Sequence, residues 1–261
     1  MRVTNRIPFS VTQVGINMTE SEQKLSILQE TLDNSEYTVV LCGSGMLEEL
    51  NLLALKTPER AYEIEDKYGV SPEYIFSDGF YSTRTDRFFE FYRNEMLIDI
   101  GESKTAMALA RLQKEGKIQS IITSNIYDLC QRAGCENVIA LHGSIYNNKC
   151  SHCGKSFPME YIKSTNKVPT CDECGAVIRP QISLFGDMID AHLIALTATE
   201  IEKADVLLIL GSSIESEVFS SYIKYFNGSK LVVIHKDSHL KDKYADLLFY
   251  DQPANVIPKL L

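Results

Sequence analysis

The apolar positions of the chain follow two different spacings. Leu25, Leu28 and Leu32 recur at helical intervals, and the preceding Thr19-Glu20-Ser21-Glu22 has the form of a capping box, so a helix is predicted over residues 20–33. Asp33-Asn34-Ser35 makes a turn, and residues 37–42 (YTVVLC) then form a continuous apolar, β-branched run that enters Gly43-Ser44-Gly45. Runs of the same kind occupy residues 118–123, 137–141, 205–210, 231–235 and 246–250, with helical patterns at 103–115, 190–203 and about 216–227. Short apolar strands that alternate with helices belong to a parallel sheet covered on both faces, because neither face of such a strand meets water. The expected fold class is therefore α/β, a Rossmann-like doubly wound parallel sheet.

Two stretches break the alternation. Residues 57–97 are helical, charged and aromatic, and residues 145–180 carry two C-x-x-C pairs. The expected organisation is one Rossmann-like domain made of residues 1–56, 98–144 and 181–261, a helical insert at 57–97, and a small cysteine-rich module at 145–180. Phe88, Phe89, Phe91 and Tyr92 are read as helix packing. Arg84, Arg87 and Arg93 are read as solvated charges, with a phosphate contact as the other reading of Arg84.

Composition narrows the function classes. The 261 residues are 44% hydrophobic and 23% charged, with 14 Gly and 8 Pro, which is a folded globular chain. With 26 Lys and Arg against 35 Asp and Glu, the net charge is −9, and that argues against direct nucleic-acid binding, whose affinity comes largely from neutralised phosphates. The first ten residues lack a basic segment followed by an apolar one, and no apolar run approaches the roughly 18 residues of a membrane span. A cytoplasmic protein with no membrane contact is expected.

Four of the seven cysteines form the pairs Cys150/Cys153 and Cys171/Cys174, with 17 residues between them. That spacing is the one expected of a zinc ribbon, in which two knuckle turns bring four thiolates to one tetrahedral ion. Gly154 and Gly175 follow the second Cys of each pair, where a knuckle calls for a left-handed residue. Disulfides are the rival reading, disfavoured in an intracellular chain, and a redox C-x-x-C does not explain two copies. Four thiolates leave no open position for water, so the one Zn2+ is structural; His152 is surplus to a complete set. Cys42, Cys130 and Cys135 are read as small core residues.

In open parallel sheets the ligand lies at the carboxyl ends of the strands. Those ends read Gly43-Ser44-Gly45, Ser124-Asn125, His142-Gly143, Gly211-Ser212-Ser213 and His235. Small residues there let backbone N–H groups approach a phosphate, although such turns also occur for steric reasons alone. His142 taken alone is a packed polar residue or a base, Asn125 a ligand or a helix N-cap, and Phe185 a wall residue or core.

Residues 123–134 (TSNIYDLCQRAG), 140–144 (ALHGS), 179–187 (RPQISLFGD) and 211–219 (GSSIESEVF), in that order around the two Cys pairs, resemble the motifs of the sirtuins, the NAD-dependent protein lysine deacylases. The resemblance covers residues 118–261. It implies NAD and one structural Zn2+ as cofactors, an acylated protein or peptide as partner, and transfer of the acyl group from lysine to ADP-ribose with release of nicotinamide. It further implies His142 as the base that takes a proton from a ribose hydroxyl and Asn125 as a residue that orients the ribose. Gly43, Ser44, Gly45, Ser124, Gly211, Ser212, Ser213 and His235 would meet the cofactor, while Ile182, Ser183, Phe185 and Gly186 would meet the acyl-lysine peptide. The first third departs from the family: residues 46–60 lack its cofactor-loop pattern, Tyr127 stands where the family has Asp, and His235 stands where it usually has Asn. Residues 66–93 resemble the macrodomain-linked sirtuins, a bacterial branch associated with ADP-ribosylation. A protein mono-ADP-ribosyltransferase and a non-catalytic NAD or ADP-ribose sensor are therefore the alternatives to a deacylase.

Overall fold

Helix α1 (Glu20–Asp33) begins where its capping box puts it: Thr19 Oγ1 accepts from Glu22 N–H, and Thr19 N–H donates to Glu22 Oε2 at 2.7 Å. The computed structural model describes residues 18–260, so the reading of the first ten residues lies outside it. Strand β1 (Thr38–Cys42) follows, then a 3-10 turn over Ser44–Leu50. Five helical pieces come next: α2 (Pro58–Tyr68), α3 (Pro72–Ile75), α4 (Asp78–Thr83), α5 (Thr85–Phe91) and a π turn at Tyr92–Met96. Helix α6 (Lys104–Lys114), β2 (Ser120–Thr123), α7 (Leu129–Arg132) and β3 (Val138–Ala140) return to the alternating pattern. The cysteine-rich module contributes β4 (Gly143–Cys150), β5 (Ser156–Phe157), α8 (Met159–Lys163) and β6 (Ile178–Ile182). The chain ends with α9 (Ala191–Lys203), β7 (Val206–Leu210), α10 (Ser220–Ile223), β8 (Lys230–His235), β9 (Leu247–Tyr250) and α11 (Pro253–Val256).

Six strands form one sheet in the order β3-β2-β1-β7-β8-β9, all parallel. Its two faces feed separate apolar clusters: Val40, Ile121, Leu208 and Val232 on one side, Val39, Leu41, Ile122, Leu207, Ile209 and Val233 on the other. That double burial is why the strands read as unbroken apolar runs rather than as alternation. A second sheet, β5-β4-β6, is antiparallel and belongs to the cysteine module.

The insert packs through its aromatic residues. Phe88, Phe89, Phe91 and Tyr92 are fully buried, with Phe88 5.5 Å from Phe89 and 5.6 Å from Tyr92 between ring centroids. The expected helix at about 216–227 is a correction: only Ser220–Ile223 is α-helical, because turns over 211–218 first carry Ile214 into the core and Phe219 is fully buried at the helix entry.

Candidate active site

The strand order reverses at β1, so the carboxyl ends of β1 and β7 flank the topological switch point where such sheets hold their ligands. The chain is pinched there. Gly45 N–H donates to Gly211 O at 2.8 Å, and a Cβ on Gly43 would come within 2.5 Å of Ser212 Cβ. Gly211 has φ +59, a left-handed conformation that glycine adopts without steric cost. Only glycine fits at 43, 45 and 211, and the backbone cradle that results is a physical basis for close approach to a phosphate.

A cavity of about 680 Å3 lies beside this cradle. Of the residues singled out from sequence, Ser44, Ser124, Asn125, His142, Ser183, Phe185 and Gly186 line it. Gly43, Gly45, Gly211, Ser212 and Ser213 lie outside its lining, at the ends of β1 and β7. Ile182 is buried at the end of β6. His235 is buried at the end of β8, stacked on His239 at 4.9 Å; its Nε2 is 3.0 Å from Asp242 Oδ1 but is not aligned for a hydrogen bond. Arg84 lies against the Phe80 ring, also outside the cavity lining.

Asn125 is held by its neighbours. Its N–H donates to Thr123 Oγ1 at 3.2 Å, and its Oδ1 accepts from Tyr127 N–H at 3.4 Å, which leaves Nδ2 buried without a partner. An orphaned donor of this kind is costly unless a ligand satisfies it. The residue is no N-cap, since α7 starts four residues later with Asp128 at its entry. His142 is fixed through its main chain: Ser183 N–H donates to His142 O at 3.0 Å, joining the start of β4 to the end of β6. Gly143, next in sequence, has φ +71 and passes so close to Gln181 O that any Cβ would collide with it. His142 Nδ1 is buried without a hydrogen-bond partner, and burial pushes the imidazole pKa below its usual value, with Leu141's carbonyl opposing in part.

Tyr127 lines the cavity, while Asp128 is outside its lining. Burial pushes the Tyr127 phenol up to about 12, so it stays protonated at neutral pH. Asp128 adopts a left-handed backbone, φ 50, and its Oδ2 accepts from Ser144 Oγ at 2.6 Å. Phe185, 37% exposed and with Lys56 Nζ 5.1 Å from its ring centroid, is a wall residue and not core.

The sequence did not point to two further parts of the lining. Leu47, Leu52, Leu53 and Leu55 belong to it; the available signal was a leucine-rich segment directly after a glycine turn. Arg60, Glu63 and Glu95 form a charged corner, with Arg60 Nη1 3.0 Å from Glu63 Oε2 and Nη2 against Glu95. Glu95 also accepts from Lys67 Nζ and Tyr68 Oη, each at 2.7 Å. Burial raises the pKa of Glu95, but these partners outweigh it and hold the carboxyl below its usual range. The pair is 35 residues apart in sequence, and no spacing rule reaches that far.

The sulfur atoms of Cys150, Cys153, Cys171 and Cys174 lie within 4.8 Å of one another. Cys150 and Cys174 are 3.3 Å apart and Cys153 and Cys171 3.7 Å, near the ~3.8 Å edge of a tetrahedron with Zn–S bonds of about 2.3 Å. Gly154 and Gly175 both have φ +74, as the knuckles require. The N–H groups of Cys153 and His152 point at Cys150 Sγ and help to pull that thiol down to about 6, which favours the thiolate a metal needs. The donor set fits one structural zinc ion. Cys42, Cys130 and Cys135 are buried, apart from that set.

Comparison with known proteins gives a consistent picture. The sequence model of the Sir2 family matches residues 60–218. An NAD-dependent protein deacetylase of Clostridium acetobutylicum is 34% identical over 240 residues, 91% of this chain and 98% of that protein. One from Clostridium tetani is 34% identical over 232 residues, 88% of this chain and 94% of that protein. Among solved structures, a protein studied for the structural basis of sirtuin substrate affinity superposes with a TM-score of 0.82 at 26% identity, covering 90% of this chain and 97% of that one. A Sir2 variant with deacetylated p53 peptide and 3'-O-acetyl ADP ribose gives 0.78 at 26% identity, covering 90% and 96%.

Proposed function

The chain belongs to the Sir2 family, and on that footing we propose that it is an NAD-dependent protein lysine deacylase, which transfers the acyl group from a lysine side chain to ADP-ribose and releases nicotinamide. The observation that carries this reading is a single cavity in which Asn125 and His142 meet Ser183, Phe185 and Gly186. NAD, when bound, supplies the ADP-ribose acceptor and the nicotinamide leaving group. Gly43, Ser44, Gly45, Gly211, Ser212, Ser213 and His235 hold it along the ends of β1, β7 and β8, with Ser124 and Asn125 beside them.

Asn125 offers its free Nδ2–H to a sugar or carbonyl oxygen. His142 is neutral at working pH because burial disfavours its charged form, so it can accept a proton. With Nδ1 sealed in the protein, Nε2 is the nitrogen left to exchange that proton with a ligand. Phe185 and the lining leucines suit the neutral acylated side chain and keep water from it. Ile182, Ser183 and Gly186 guide the substrate main chain, and the β4–β6 sheet transmits the rigidity of the zinc module to them. In this scheme the described parts of the expected 1–56, 98–144 and 181–261 domain, residues 18–56, 98–144 and 181–260, bind the cofactor, 57–97 closes one side and 145–180 supports the peptide edge. The partner is an acylated protein or peptide, without nucleic acid or membrane, in the cytoplasm; no helix among the described residues is long and apolar enough to cross a membrane.

The test is stoichiometry. With NAD and an acetyl-lysine peptide, one nicotinamide should form for each lysine deacetylated. Nicotinamide release with ADP-ribose fixed to protein would support a transferase, and tight NAD binding with no turnover of any acyl peptide would support a sensor.

A further inference from the structure

Tyr127 brings an unpartnered phenol to the cavity. The residue is 7% exposed and lines the cavity, yet its Oη has no hydrogen-bond partner among the described residues. The Oη of neighbouring Tyr92 is sealed in the protein, whereas that of Tyr127 is not closed off. A hydroxyl buried without a partner is costly, so such a group points to a ligand that completes it. The charged corner does not complete it: Arg60 is held by Glu63 and Glu95, and Lys67 balances the second carboxylate.

The place of Tyr127 in the chain selects the part of the ligand it meets. Asn125 and Tyr127 line the same cavity from one loop, and Tyr127 N–H donates to Asn125 Oδ1 at 3.4 Å. With Asn125 at the ribose whose C1′ carries nicotinamide, the group beside the next-but-one side chain is the base on that ribose. Nicotinamide has one polar ring substituent, a carboxamide, whose carbonyl accepts and whose amino group donates. An ionised Asp, the residue type the family has at this position, only accepts and so pairs with the amino group. A phenol kept protonated by burial donates and pairs with the carbonyl.

Resting on the deacylase reading, we propose that Tyr127 recognises the nicotinamide end of the cofactor by donating its Oη–H to the carboxamide carbonyl oxygen. The chain thereby selects for that carbonyl, where an Asp would select for the amino group.

The experiment reads binding without turnover. Dissociation constants of the full-length, zinc-replete protein are measured by calorimetry, without peptide, for NAD, two of its analogues and ADP-ribose. The 3-acetylpyridine analogue keeps the carbonyl and lacks the amino group, the thionicotinamide analogue replaces the oxygen by a weakly accepting sulfur, and ADP-ribose has no base. NAD and the acetylpyridine analogue should bind within about twofold of each other, and the thionicotinamide analogue about fivefold more weakly, the equivalent of ~1 kcal/mol for one hydrogen bond. Tyr127→Phe, which keeps the ring and its packing, should weaken NAD about fivefold, erase its advantage over the thionicotinamide analogue and leave ADP-ribose unchanged. Tyr127→Asp should place NAD ahead of the acetylpyridine analogue. NAD affinity untouched in Tyr127→Phe would overturn the proposal, as would ADP-ribose weakened as much as NAD, since the phenol would then act only on the fold. An acetylpyridine analogue that binds the wild-type protein much more weakly than NAD would overturn it too. The predicted pattern without any acyl transfer to ADP-ribose would keep the assignment of Tyr127 and remove the deacylase reading, and failure of all four ligands to bind would remove both.

Discussion

Ser144 Oγ donates a 2.6 Å hydrogen bond to Asp128 Oδ2, and this bond ties the loop that carries Asn125 to the strand that starts beside His142. A second link, Ile145 N–H to Ile126 O at 3.0 Å, runs parallel to it. Asp128 is suited to the task because Asp tolerates the left-handed backbone found there. Asp128→Ala should cost about 2 kcal/mol, from the lost charged hydrogen bond and the strained φ. Asp128→Asn should recover most of it. Thermal unfolding reads the first effect. The positioning role predicts a lower kcat with little change in KM for NAD, rescued in the Asn variant.

Gly143 sets where His142 stands. Gly143→Ala places a Cβ into Gln181 O at a positive φ, so β4 and β6 must separate at the end where Ser183 holds His142. A loss of about 2 kcal/mol is expected, which lowers the melting temperature by roughly 5 °C, together with most of the activity. An alanine variant of unchanged stability and rate would contradict the packing described.

The pH dependence follows from burial of His142. Its pKa is lowered, so the neutral base persists below the usual histidine range, and the acid limb of kcat/KM should fall below about pH 6.5. The sign for stability is the same. In the unfolded chain His142 binds its proton at higher pH than in the fold, so its contribution is present above about 6.5 and is lost as pH falls. A His142→Gln variant should show a smaller loss of stability across that window in unfolding titrations.

Zinc should matter to catalysis although it lies outside the cavity. Strand β4 begins next to His142 and ends on Cys150, so the metal anchors the far end of the strand whose near end carries the base. Chelation or Cys150→Ala should lower the rate about fivefold or more, the equivalent of ~1 kcal/mol for one weakened hydrogen bond at His142. Re-addition of Zn2+ to the chelated protein should restore it.

Much of this was legible in the sequence, and the reasons are local. The capping box set the start of α1, continuous apolar runs placed the strands to within about two residues, and Cys spacing with two glycines gave the knuckles. The Sir2 motifs around Asn125, His142 and Phe185 carried the family. Features that depend on distant pairs were not legible. Arg60 with Glu95, Ser144 with Asp128 and Gly143 against Gln181 meet only because the chain folds back, and no periodicity records that. The pattern at 216–227 failed for a related reason: Phe219, Tyr222, Ile223 and Phe226 are spaced as on a helix, but the core takes them from turns and a single helical turn. The lining leucines were visible as composition, yet their role needed the cavity.

The most direct test of the deacylase reading is the identity of the ADP-ribose product. The zinc-replete protein is incubated with NAD and an acyl-lysine peptide, beside His142→Ala, and the products are identified by mass spectrometry. O-acyl-ADP-ribose and nicotinamide in equal amounts, lost in His142→Ala while NAD binding persists, is the predicted result. ADP-ribose attached to protein, or product formation that survives His142→Ala undiminished, would contradict it.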